Sequence, residues 1–154
     1  NVTGMYSRTR GEGFGPEVKR RILLGTYILR ESRYESYYLQ ALRVRALIRQ
    51  DFEAAFNRFD LLLGAVTPTT AFKLGEKSDD PVAMYHADIC VLPGPLAGVP
   101  ALSVPCGLSK DGLPIGVQLT AAPFREEVLF RAAHLLEQER GLEPLRPQLL
   151  PPVS

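Results

Sequence analysis

No apolar run in the sequence approaches the ~20 residues that a membrane-spanning helix requires. No signal peptide is expected, the cytoplasm is the expected compartment and no membrane partner is expected. Cysteine is scarce: Cys90 and Cys106 lack disulfide-type spacing, which fits a reducing compartment. Two histidines, His86 and His134, join them without metal-ligand spacing, which argues against zinc or another bound metal. There is no internal repeat and no Gly-rich phosphate loop. GEGFG (11–15) precedes a helical pattern but lacks the strand and the lysine that would complete one. Net charge is only +1, but it hides an asymmetry: residues 1–58 carry 11 Lys+Arg against 6 Asp+Glu, and residues 59–154 carry 7 against 11. The arginines of the basic part are spread along two helical patterns rather than clustered with aromatics, so solvated helix faces explain them better than a nucleic-acid stripe; no DNA partner is expected.

What is present is concentrated between Asp88 and Leu119, where proline and glycine crowd short apolar runs. Ala101–Pro105 and Pro114–Leu119 read as buried strands, and the Lys-Asp-Gly turn between them predicts a hairpin. Pro16, after Gly13 and Gly15, predicts a helix to about Leu29 or Arg30 whose apolar positions cover most of its circumference, so it is expected to be largely buried. Tyr34–Phe59 reads as a second, longer helix. Asp60–Thr67 reads as an inner strand, stopped by Pro68. A short helix is expected from Pro81 through Asp88. Glu126–Arg140 reads as an amphipathic helix with Val128, Leu129, Ala132, Ala133, Leu135 and Leu136 inward and Gly141 at its end. The expected class is α/β in layers, with three strands that look like part of a larger sheet. One domain over 1–141 and a Pro-rich extended tail over 142–154 are the expected organisation.

Two charges stand out. On a helical wheel of residues 17–31, Arg21 falls opposite the polar side formed by Lys19, Thr26 and Arg30, with Arg20 at the border. A desolvated guanidinium there must meet a carboxylate, carbonyls, a ligand anion or a path to water. A structural ion pair and a ligand contact both satisfy that. Asp88 closes a short helix and enters an apolar, turn-rich stretch, where it either caps backbone N–H groups or meets a cation. Ser103 lies within a predicted strand and reads as a packed hydroxyl. Cys106 reads as a small buried residue, which leaves a thiol–imidazole pair with His86 or His134 without support.

LAGVPALSVPCG followed by DGLPIGVQL resembles the C-terminal part of the amidase-signature enzymes. EGFGPEVKRRILLGTYIL (12–29), YESYYLQALRVRALIRQDF (34–52) and TPTTAFKLGEKSDDPVAMYHADI (67–89) are similar, in order and spacing, to the subfamily of glutamyl-tRNA(Gln) amidotransferase A subunits. The resemblance runs from about Met5 to about Gln138. It implies a mixed β-sheet sandwiched between helices, with this chain as the C-terminal portion of a longer protein. It also implies that Arg21, or its neighbour Arg20, and Asp88 bind free glutamine, one taking the α-carboxylate and the other the α-ammonium. The chemistry suits those roles. A guanidinium forms two parallel charge-assisted bonds with a carboxylate, and a carboxylate accepts from an ammonium's three donors.

The family's Ser-Ser-Lys machinery lies in a Gly/Ser-rich stretch, and none of the serines or lysines of this chain occurs in such a context. No catalytic residue is therefore expected here. Departures exist: the family's VNLAG is GPLAG at 94–98, LSSGYYDAYY is LRESRYESYY, and GPTTPT is GAVTPT. The expected function is the glutamine-hydrolysing subunit of a tRNA-dependent amidotransferase. Its partners are glutamine, the other subunits and, through the complex, tRNA; no cofactor is bound by this chain, while ATP and Mg serve the intact complex. The alternatives are a general amidase acting on small or aryl amides and a non-enzymatic interaction fragment needing its N-terminal half.

Overall fold

Proline at the first helical position, where no N–H is needed, starts three helices: α2 at Pro16, α5 at Pro81 and α6 at Pro93. The structure, a computed structural model, describes residues 1–78 and 80–141; the proline-rich tail expected over 142–154 lies outside the described residues. Contacts group the chain into two units, Asn1–Leu47 and Ile48–Ser154, and each is described by itself.

The first unit is helical. α1 spans Val2–Gly13 with Asn1 as N-cap, its side chain accepting from Thr3 N at 2.9 Å. α2 spans Pro16–Ile28, and a single turn, α3 (Glu31–Arg33), leads into a π-helical segment, Tyr34–Leu39. α4, Gln40–Phe56, crosses the boundary between the units. The one long helix expected over 34–59 is thus helical from Glu31 to Phe56 but interrupted by a wider turn. α2 is not buried as expected. It has no buried residue, and Leu23 is 70% exposed, because within this unit no apolar surface covers its circumference.

The second unit holds a sheet of β1 (Leu61–Ala65), β2 (Ala101–Leu108) and β3 (Pro114–Ala121), in the order β1-β3-β2. Both pairings are antiparallel. The run expected as an inner strand, β1, therefore forms an edge among the described residues. The hairpin is closed by Ser109, whose Oγ accepts from Asp111 N (3.2 Å) and Leu113 N (3.1 Å), with Gly112 at φ 76°. Cys106 is an extra residue in β2, a bulge between the Pro105–Gly116 and Gly107–Ile115 pairs.

α7, Glu126–Arg140, lies on β2 and β3 and ends at Gly141 in the left-handed conformation. Leu129 and Ala133 from α7 meet Val104, Val117, Leu119 and Ala121 from the strands to form the core. Leu61, Leu102, Ala132 and Leu136 pack around it. Leu135, expected inward, is exposed: it lies two residues from Ala133, and so well around the helix from the buried side. The turn into α7 carries Phe124 at φ 62°, a residue 90% exposed.

Candidate functional site

α2 brings three charges into one cluster. Glu17 lies in its first turn, three and four residues before Arg20 and Arg21, the spacing at which helical side chains meet. Arg21 Nε donates to Glu17 Oε1 at 2.7 Å, and Arg20 donates to Glu17 Oε2 from Nε at 2.9 Å and again from Nη2. The hydrogen bonds from Arg20 and then Arg21 hold the Glu17 carboxyl below the ordinary carboxylate range. The Arg21 side chain is 63% exposed. The desolvation that singled out Arg21 is therefore absent within this unit: the apolar residues beside it are themselves exposed, and the guanidinium stays in water with an i,i+4 partner. Arg20 shares that partner, so the geometry does not separate the two arginines.

Asp88 follows α5 (Pro81–Ala87), which Asp80 caps: the Asp80 carboxylate accepts from Val82 N at 2.9 Å and Ala83 N at 3.0 Å. Asp88 N donates to Tyr85 O at 3.1 Å, and its carbonyl accepts from Val91 N (3.0 Å) and Leu92 N (3.2 Å). The backbone is thus pinned on both sides. The chain then enters α6, Pro93–Ala97, which ends at Gly98 with φ 78°. Gln118 of β3 donates to Cys90 O at 3.4 Å, tying the turn after Asp88 to the sheet. The Asp88 carboxylate is exposed and caps no N–H group among the described residues. The capping expected of Asp88 is thus not seen among the described residues. Arg21 belongs to the first unit and Asp88 to the second, so each is held by its own element.

Cys106, read from sequence as buried, is exposed, because the bulge lifts it out of the regular ladder. It lines a cavity of about 610 Å³ with Ala132, Leu135, Leu136, Glu139 and Arg140, a wall without a histidine. Ser103, read as packed, is also exposed and sits across from Gln118 in the ladder. Among the described residues no group of three or more His, Cys, Asp or Glu side chains is placed to hold a metal ion. No helix among them is long and apolar enough to cross a membrane. Sequence reading missed two features here. The Asp80 cap was visible as Asp before Pro81, and the Gln118 tether carried no local signal.

The family model described as Amidase matches residues 1–130. The chain belongs to the Amidase family. Among its Amidase relatives, the glutamyl-tRNA(Gln) amidotransferase A subunit of Moorella thermoacetica is 54% identical over 149 residues, covering 97% of this chain and 30% of the relative. The protein of the same name from Koribacter versatilis is 56% identical over 136 residues, covering 88% of this chain and 28% of its own. The chain thus spans about three-tenths of the length of the curated relatives it matches. The crystal structure of the Thermotoga maritima glutamyl-tRNA(Gln) amidotransferase A subunit superposes with a TM-score of 0.66 at 42% identity, over 86% of this chain and 29% of that one. A 6-aminohexanoate cyclic dimer hydrolase, another structural neighbour in the family, gives 0.62 at 27% identity, over 78% of this chain and 27% of that one. The mixed helix-and-strand class expected from sequence agrees with these neighbours.

Proposed function

We propose that this chain is the C-terminal portion of a glutamyl-tRNA(Gln) amidotransferase A subunit, with residues 1–141 forming part of one amidase domain. The observation that carries the reading is 54% identity, sustained over 97% of the chain, to a relative of that name. In the intact protein glutamine is hydrolysed, and the ammonia passes to a partner subunit. That partner uses ATP and Mg to convert glutamate on a mischarged tRNA into glutamine, and the work is done in the cytoplasm. This chain supplies no nucleophile; its serines stand outside any Gly/Ser-rich catalytic stretch.

In this reading Arg21 takes the α-carboxylate of glutamine and Asp88 its α-ammonium. The exposed carboxylate of Asp88, held on a backbone fixed at both ends, is available for such a cation. Arg21 already holds a carboxylate, that of Glu17, so the substrate group is chemically matched to the partner it has. An uncharged amide offers neither a carboxylate to Arg21 nor an ammonium to Asp88, so the two charges favour a free amino acid.

The test uses the intact amidotransferase. Arg21→Gln and Asp88→Asn are expected to lose glutamine turnover while a simple aryl amide is still cleaved. A general amidase, the reading favoured by the 27%-identical neighbours, responds little to either change. The purified 154-residue chain is expected to release no ammonia from glutamine, and measurable release refutes its assignment as a non-catalytic portion.

A further inference from the structure

Arg33 stands where α2 gives way to the π-helical segment. α2 closes with Leu29 N donating to Gly25 O at 3.0 Å, and the chain turns at Arg30, whose carbonyl accepts from Arg33 N (2.8 Å) and Tyr34 N (2.9 Å). At this corner the Arg33 guanidinium lies over two rings, 4.6 Å from the centroid of Tyr27 and 5.6 Å from that of Tyr37. Tyr27 belongs to the last turn of α2, and Tyr37 to the π-helix. Tyr34 and Tyr38 stack on one another at 4.9 Å, which leaves Tyr37 to the arginine. A cation over a ring face is drawn to its quadrupole, and a planar, weakly hydrated guanidinium suits that contact well. α2 has no buried side chain to anchor it, and its main contact with another element of its unit runs to the π-helix. The clamp bridges that contact.

We propose that Arg33 is a positioning residue: by holding Tyr27 and Tyr37 together it fixes the direction in which α2 leaves the corner, and with it the setting of Arg21. This inference rests on the reading of Arg21 as the ligand of an amino acid's α-carboxylate. Arg21 lies six residues before Tyr27 on the same helix, so a tilt at the corner is carried rigidly to it. Binding groups lose effectiveness when displaced by about an ångström. The consequence of losing the clamp is weaker capture of the substrate, with the chemical step unchanged once substrate is bound.

Steady-state kinetics of the intact amidotransferase tests this. Arg33→Ala is expected to raise the KM for glutamine about fivefold, the scale of losing one or two exposed cation–π contacts, with kcat within about twofold. Arg33→Lys, which keeps a cation over the rings, is expected to restore most of the loss. Should Arg33→Ala fail to fold, Tyr37→Leu removes one ring while keeping apolar bulk and carries the same expectation. A fall in kcat at constant KM marks a purely structural role and overturns the proposal, as does unchanged kinetics. Arg21→Gln separates the levels. If it raises KM while Arg33→Ala does not, only the clamp is wrong. If Arg21→Gln leaves KM unchanged, the reading of α2 fails and the clamp's role falls with it.

Discussion

Leu119→Ala in the 154-residue chain is the sharpest probe of the packing. Leu119 is 1% exposed and sits in the middle strand, opposite Leu63 on β1 and Leu102 on β2, with Leu129 and Ala133 of α7 in the same cluster. Truncation removes three carbons from a closed environment, a transfer loss of about 2.4 kcal/mol at ~0.8 per CH₂. The void left behind adds about 1 kcal/mol at ~24 cal/mol per Å³ if roughly 40 Å³ stays unfilled. The total, about 3–4 kcal/mol, is a large part of the ~5–15 kcal/mol that holds a domain together. Urea denaturation followed by circular dichroism measures it, with the midpoint falling and the slope nearly constant. Leu63→Ala is the internal control. It faces the same side of the sheet but is 64% exposed at the edge, so its cost is expected within about 0.5 kcal/mol. A Leu119→Ala cost under about 1 kcal/mol, or one equal to that of Leu63→Ala, refutes the core described above.

Other consequences are accessible to the same measurement. Phe124→Gly is expected to stabilise the chain by about 0.5–1 kcal/mol, because a left-handed φ of 62° strains a bulky residue that is almost wholly in solvent; a loss of stability argues against it. Gly116→Val is expected to cost about 1–3 kcal/mol, since even a Cβ would stand 3.2 Å from both Ser103 Oγ and Val66 Cγ2; a neutral result shows those neighbours can yield. The lowered proton affinity of Glu17 means its contribution to α2 is fully present above the ordinary 4.5 and is lost as pH falls through the lower folded value. The helical signal of the first unit should therefore drop slightly on acidification in low salt, and Glu17→Gln should abolish that dependence. Leu63→Ala is expected to cost more in the intact amidase than in this chain, as the proposed larger sheet would cover the β1 edge; equal costs count against that sheet.

How far the sequence could be read depended on whether the signal was local. The bounds of α7 and the hairpin turn were legible, because Gly141 and the Lys-Asp-Gly turn sit directly at the ends of the segments they terminate. α1 and α6 were missed: α1 is rich in glycine and threonine, which favour other backbone states, and PGPLA reads as turn rather than helix. The π-helical register of 34–39 has no sequence period of its own. Burial of α2 was misread for a different reason. Apolar periodicity reports which surface wants cover, whereas exposure reports which cover exists, and within its unit little lies against Val18, Ile22 or Leu24. The same gap limits the candidate site. Charge type and spacing nominated Arg21 and Asp88, but a guanidinium with a carboxylate four residues away finds its partner locally before any distant one is needed.

The extra residue at Cys106 also governs how this hairpin tolerates changes of length. Elsewhere along β2 and β3, deleting one residue reverses the facing of everything beyond the lesion, because side chains alternate strictly. Removing Cys106 instead brings Gly107 and Leu108 into the same continuous alignment that runs from Ala101 to Pro105. At this bulge β2 can lose a single residue while the inward-facing side chains of both strands keep their side.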